Sequence, residues 1–338
     1  MPTTLFHLFL PGLLSVVQAP PTAPIEGRLV HPGCISTAAN ETSLAVSADR
    51  LDYWFARSDF ASRRSVLLRA RLDASGGCEV ELAPMASPHR DSEPHLSPDG
   101  NALYFVSSRP RGLGELALRT RWNDREFAGT QLWRSLRGKD GSWSEPMRLS
   151  AEINDAFGLM LYNPSSSRDG TLYWSAHRED SGPGYQIYRK PPHGAVERVE
   201  LGHLQHSRMD PAIDPDGRFL IFAGNEGDSL GSADLYFAMA QPDGSFAAPI
   251  RLPAGVNSPW LENAASLGPA FGELYVTSAR PIDWKQPVDD LRPAPLPVTV
   301  EALQAELLDQ PLNGSRNLWR FDIADWLRAQ GVQPRPTE

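Results

Sequence analysis

Only two of the 338 residues are cysteines, Cys34 and Cys78, which excludes a disulfide framework and any Cys-x-x-Cys metal or redox motif. Basic residues are outnumbered, 32 Lys and Arg against 41 Asp and Glu, for a formal net charge of -9. With no basic stripe, the chain lacks the electrostatic footprint that phosphate backbones require, so nucleic acid is excluded as a partner. Long apolar stretches are absent too. The run from Leu5 to Leu14 is too short to cross a bilayer. Histidines gather at His193, His203 and His206, with His89 and His95 upstream, but at no metal-ligating spacing.

What the chain does contain is a repeated hairpin. From Ser92 to Arg109, two short runs of alternating polarity flank Pro98-Asp99-Gly100, where proline presets φ and glycine accepts a positive φ without steric cost. The pattern returns at Tyr162–Ser175 around Asp169-Gly170 and at Asp210–Phe222 around Asp216-Gly217. Weaker copies run over Glu41–Phe55, turning at Asp49, and over Asn263–Thr277. The turn residues Asp49, Asp99, Asp169 and Asp216 stand 50, 70 and 47 positions apart, a spacing near that of four-stranded blades. Third strands follow at Leu67-Leu68-Arg69, Gln131-Leu132-Trp133, Gln186-Ile187-Tyr188, Asp234-Leu235-Tyr236 and Asn317-Leu318-Trp319. Fourth strands are clearest at Pro146–Leu149 and Pro249–Leu252. The fold expected is all-β, a single propeller of four-stranded antiparallel blades with five clear repeats.

The run from Glu93 to Arg109 resembles the Glu-Pro, Ser-Pro-Asp-Gly, Leu-Tyr-Phe, Ser-x-Arg signature of WD-repeat-like propellers of the TolB type. The resemblance spans about residues 25 to 322, weakens in the first and fifth repeats, and implies six blades where the repeats number five, so five and six stay open. By analogy it implies docking of a protein partner at the channel mouth, although the α/β domain of TolB itself has no counterpart here.

Residues 1–19 read as a secretory signal ending in Val17-Gln18-Ala19, against which stand the missing positive n-region and Pro20; an uncleaved apolar N-terminus is the competing reading. A proline-rich lead-in over 20–24 precedes the propeller at 25–330, and 331–338 form a tail. Pro24–Val30 has fourth-strand texture, whereas the last repeat lacks a fourth strand, so the N-terminal strand is expected to close the ring and remove two open edges. Cys34 then follows the closing strand and Cys78 lies near the fourth strand of the first blade. In an oxidising compartment the two pair, and otherwise they are idle thiols. Insertions at 110–130 and 281–315 both separate a second from a third strand, and therefore share one rim; a short helix is expected from Thr299 to Leu308.

Residues at the same position of each inner strand form a ring around the channel. That position is assigned to Glu41, Glu93, Asn163, Asp210 and Glu262 or Asn263, with His95 beside it. Converging carboxylates raise each other's pKa unless a cation lies between them, so the ring suits a divalent cation, a basic peptide or a hydroxylated ligand. The structural reading is that these side chains accept backbone N–H groups of the next blade. Asp49, Asp99-Gly100, Asp169-Gly170 and Asp216-Gly217 are turn formers, and Arg109, Arg178 and Arg280 form a second ring or pair with neighbouring acids. The function expected is a monomeric, exported, non-catalytic module binding an envelope protein or a small polar ligand, without a dedicated cofactor or metal motif. The alternative is a glycan-active hydrolase or lyase using the channel carboxylates.

Overall fold

The computed structural model describes residues 24–59, 64–112, 114–122, 124–177, 184–202, 206–281, 299, 301, 304, 309 and 311–335. The signal segment, Arg178, His203 and most of the expected 299–308 helix lie outside them. Strand β1 (Arg28–Leu29) opens the chain, followed by blade one: β2 (Asn40–Val46), β3 (Asp52–Ser58), β4 (Ser65–Leu72) and β5 (Cys78–Leu82). Blade two is β6 (Asp91–Leu96), β7 (Ala102–Ser107), β10 (Gln131–Leu136) and β11 (Met147–Arg148); the insertion within it folds as a hairpin of β8 (Arg119–Trp122) and β9 (Arg125–Ala128). A short helix α1 (Ala151–Asn154) leads to blade three: β12 (Leu161–Ser166), β13 (Leu172–His177), β14 (Tyr185–Lys190) and β15 (Glu197–Arg198). Blade four is β16 (Arg208–Ile213), β17 (Phe219–Gly224), β18 (Asp234–Met239) and β19 (Ile250–Arg251). Blade five is β20 (Glu262–Leu267), β21 (Glu273–Ser278) and β22 (Asn317–Asp322), and helix α2 (Ala324–Ala329) follows.

Each sheet is antiparallel with the inner strand first, and β1 pairs with β22 as the missing fourth strand of blade five, Arg28 opposite Arg320. The described residues therefore form a five-bladed propeller closed by its N-terminal strand. Among the described residues there is no single central core. Five apolar clusters lie instead between neighbouring blades. Trp54, Leu67, Leu103 and Phe105 join blades one and two. Val106, Leu132, Leu161 and Trp174 join two and three. Ile187, Ile213, Leu220 and Phe222 join three and four, and Ile221, Phe237, Leu274 and Phe321 join four and five. Leu44, Phe55, Tyr275 and Leu318 close the ring between five and one. Large aromatic side chains supply this burial because a wedge-shaped gap between twisted sheets needs volume.

The hairpin turns form as their chemistry dictates. In blade two Gly100, at φ 73°, donates its N–H to the Ser97 carbonyl at 2.8 Å, while Asp99 accepts the Ser97 hydroxyl at 2.5 Å and the Asn101 N–H at 3.1 Å. The Ser97 bond holds the Asp99 carboxyl below its usual range. Asp49 and Asp169 make the same bonds. Blade four differs: Asp214 occupies the serine position and accepts the Asp216 and Arg218 N–H groups, which leaves Asp216 to pair with Arg168 and Arg335. Cys34 and Cys78 are joined, with their Cα atoms 6.4 Å apart.

Candidate functional site

Every inner strand carries a β-bulge at the same height, where the register to the second strand shifts. At each bulge one non-glycine residue adopts a left-handed backbone: Ser43, Glu93, Asn163, Asp210 and Ala264, with φ between 45° and 58°. These five are the ring. The sequence assignment holds for Glu93, Asn163 and Asp210, whereas Glu41 and Glu262 lie two residues before the ring and Asn263 one before it.

Four of the five bulge N–H groups are stitched to the preceding blade by one of two devices. Where the second strand offers a hydroxyl, that hydroxyl accepts: Ser43 N–H to Thr277 Oγ1 at 3.0 Å and Asp210 N–H to Ser175 Oγ at 2.7 Å. Elsewhere the preceding ring carboxylate accepts: Asn163 N–H to Glu93 Oε2 at 2.7 Å and Ala264 N–H to Asp210 Oδ2 at 2.9 Å. The Asn163 amide also donates to Asp210 Oδ1. Both Asp210 oxygens are thus engaged, while Glu93 Oε1 has no hydrogen-bond partner among the described residues. Burial first, and Asp210 beside it, push the Glu93 carboxyl up to about 7 against the opposing pull of Arg90. Burial likewise raises Asp210, against the bonds from Ala264 and Asn163.

Glu41 and Glu262 belong to a different device, together with Asp91. Each is fully buried and accepts the backbone N–H and hydroxyl of the Thr or Ser four residues earlier: Thr37, Ser87 and Ser258. Each is then clamped by an arginine beyond the second strand: Glu41 by Arg57 at 2.9 Å, Asp91 by Arg109 at 3.0 Å and Glu262 by Arg280 at 3.0 Å. Arg280, 2 % exposed, also packs over Trp319 and Phe321. Blade four holds the same clamp with its charges exchanged, Arg208 against Glu226 at 2.9 Å. Asp91 escaped the sequence reading, although the four-residue spacing from Ser or Thr to the acid marks all three clamps.

The ring divides the channel in two. On the side of the hairpin turns lies a funnel of about 490 Å³, lined by the turns themselves, Arg137 and His95. His95 Nε2 accepts the Ser166 N–H at 2.9 Å, so the imidazole is neutral with its proton on Nδ1, in keeping with the burial that lowers it to about 4. On the opposite side, a polar cavity of about 50 Å³ is lined by Ser92, Glu93, Asn163, Asn263, Arg90 and Arg316 among others. Ser92 Oγ and Asn263 Oδ1 there are buried without a hydrogen-bond partner among the described residues. Among the described residues no group of three or more His, Cys, Asp or Glu side chains is placed to hold a metal ion, and no helix is long and apolar enough to cross a membrane.

No family model matches the chain, and no curated protein matches it in sequence. Solved structures resemble it in chain path at low identity. A thermostable family-43 glycoside hydrolase is 11 % identical over 74 % of this chain and 86 % of its own, with a TM-score of 0.45. An α-L-arabinofuranosidase from Lactobacillus brevis is 12 % identical over 86 % of this chain and 92 % of its own, at 0.48. A gluconolactonase from Xanthomonas campestris is 16 % identical over 78 % and 84 %, at 0.42. At such values these likenesses assign neither family nor activity to the chain.

Proposed function

We propose that the chain is an exported propeller that binds a polyhydroxylated ligand of the glycan class at the narrow mouth of its channel. The observation that carries this reading is the concentration of unused hydrogen-bonding capacity in one small cavity: Ser92 Oγ and Asn263 Oδ1, each one residue before the ring, and beside them Glu93, whose carboxylate bonds among the described residues through Oε2 alone. Buried polar atoms without partners are costly, and a ligand rich in hydroxyl groups offers both donors and acceptors to satisfy them. A volume of about 50 Å³ takes a substituent of such a ligand rather than a whole ring. The 110–130 insertion enters on the same rim, and the Cys34–Cys78 bond suits an oxidising compartment. A TolB-like protein partner at this mouth is the competing occupant.

Cleavage of the ligand is a second reading, favoured by Glu93 alone. A carboxyl poised near neutrality with one oxygen open is suited to general acid work, whereas Asp210 has both oxygens committed. A thermal-shift screen of wild type against neutral and acidic oligosaccharides, followed by turnover assays on any hit, tests both readings. A binder raises the midpoint by mass action. Turnover lost about 100-fold or more in Glu93→Gln with affinity retained supports an enzyme. Binding without turnover leaves a binding module, and no shift with any glycan overturns the proposal in favour of a protein partner.

A further inference from the structure

The arginines around the channel fall into two sets. Arg57, Arg109, Arg208 and Arg280 each close a clamp on a buried acid. Arg90 and Arg316 do not: among the described residues neither guanidinium has a hydrogen bond or an ion pair. Their backbones are nonetheless fixed. Arg90 donates its N–H to Ser108 Oγ at 3.0 Å and accepts the Ser108 N–H at 3.0 Å. Arg316 donates to Asn40 Oδ1 at 2.9 Å and accepts the Glu41 N–H at 2.8 Å. Both side chains are half-buried and both line the narrow cavity that holds Ser92, Glu93 and Asn263.

We propose that Arg90 and Arg316 hold an anionic group of the ligand, a carboxylate, sulfate or phosphate, in the narrow mouth, with Ser92 Oγ donating to it. The inference rests on the glycan-binding reading and names its class as acidic glycans. Guanidinium groups match oxyanions in geometry, and a pinned backbone lowers the ordering cost of using them. The charges facing the cavity agree. Arg90 and Arg316 are positive, Arg316 acts on Asp210, and Glu93 faces Arg90 from its own blade, Asp210 from blade four and Tyr185 from blade three. Ionisation of Glu93 adds a negative charge beside the two guanidinium groups, so the site suits an anion best with Glu93 protonated. Binding of the anion therefore favours the protonated carboxyl, and affinity falls as pH rises through about 7.

Calorimetry on the full chain with D-glucuronate and its neutral analogue D-glucuronamide at pH 6 and pH 8 tests this. Wild type is expected to favour glucuronate at least tenfold at pH 6 and to lose most of that preference at pH 8. Glu93→Gln is expected to keep the preference at both. Arg90→Gln and Arg316→Gln should each bring the two sugars to equal affinity at both pH values. Equal affinity of wild type for both sugars overturns the anion site while leaving the glycan reading intact, a result that needs no variant to fold. Preference retained in both arginine variants overturns it as well. Inorganic phosphate, bound by wild type and released in the arginine variants while neither sugar binds, keeps the anion site and ends the glycan reading; no binding of sugar or phosphate ends both.

Discussion

Glu93 concentrates the tension between stability and function in one side chain. It stitches blade three through Oε2, sits in a left-handed backbone at φ 57°, and is buried beside Asp210. A non-glycine residue in that conformation costs about 1–2 kcal/mol, a strain that a closed ring of five equivalent bulges can bear. Its carboxyl is raised from 4.5 to about 7, so between those values the unfolded chain has lost a proton that the native state keeps. Stability contributed by the protonated group is therefore full below about 4.5 and is lost as pH rises to about 7, by up to about 3 kcal/mol. Glu93→Gln retains the acceptor for Asn163 and cannot ionise. Urea unfolding should show wild type losing stability from pH 5 to pH 8 much more steeply than the variant, with the variant the more stable at pH 8. Parallel pH profiles for the two would remove Glu93 from the account.

At the scale of the blade, the clamp of Ser or Thr, acid and arginine ties the loop entering the inner strand to the end of the second strand in blades one, two and five. The Glu262–Arg280 clamp is the most buried, at 0 % and 2 % exposure. Breaking one side of a buried pair leaves an uncompensated charge, at a cost of about 3–5 kcal/mol. Glu262→Ala should lose that much in denaturant unfolding and leave ligand affinity per folded molecule unchanged, since Glu262 does not line the narrow cavity. A variant of wild-type stability would show the clamp to be decorative. The turns, the blade boundaries and the closing strand were legible in the sequence, because proline, aspartate and glycine dictate backbone angles locally and repeat. The ring was legible only where Pro94, Pro164 and Pro211 mark the residue after the bulge. In blades one and five no proline follows, and Glu41 and Glu262 stand two residues early. A two-residue slip keeps every side chain on the same face of a strand, so alternation of polarity cannot reveal it. Arg90 and Arg316 were invisible for another reason: their distinction is that neither guanidinium has a hydrogen bond or ion pair among the described residues, which only three dimensions show.

The whole molecule depends on closing its ring, and the closing strand is slight. β1 contributes two residues to the pairing with β22, helped by the Val30 N–H to the Leu318 carbonyl at 2.9 Å and by Ile25 against Ala254. So short a ladder would fray on its own. The Cys34–Cys78 bond lies just beyond it and ties this segment to the outer strand of blade one, across the cluster of Leu44, Phe55, Tyr275 and Leu318 that joins blades five and one. The disulfide thus holds the latch from its far side. Cross-linking a loop of 44 residues also restricts the unfolded chain, worth about 4 kcal/mol on the loop-entropy model. The double variant Cys34→Ser, Cys78→Ser should be less stable by about that amount. If the bond also secures the latch, hydrogen exchange in the variant should accelerate first at Leu318, Trp319 and Arg320 on β22, before the inner strands respond. Uniform acceleration across all five blades would mean that the bond acts through the unfolded state alone, and that the two-residue latch closes the propeller without its help.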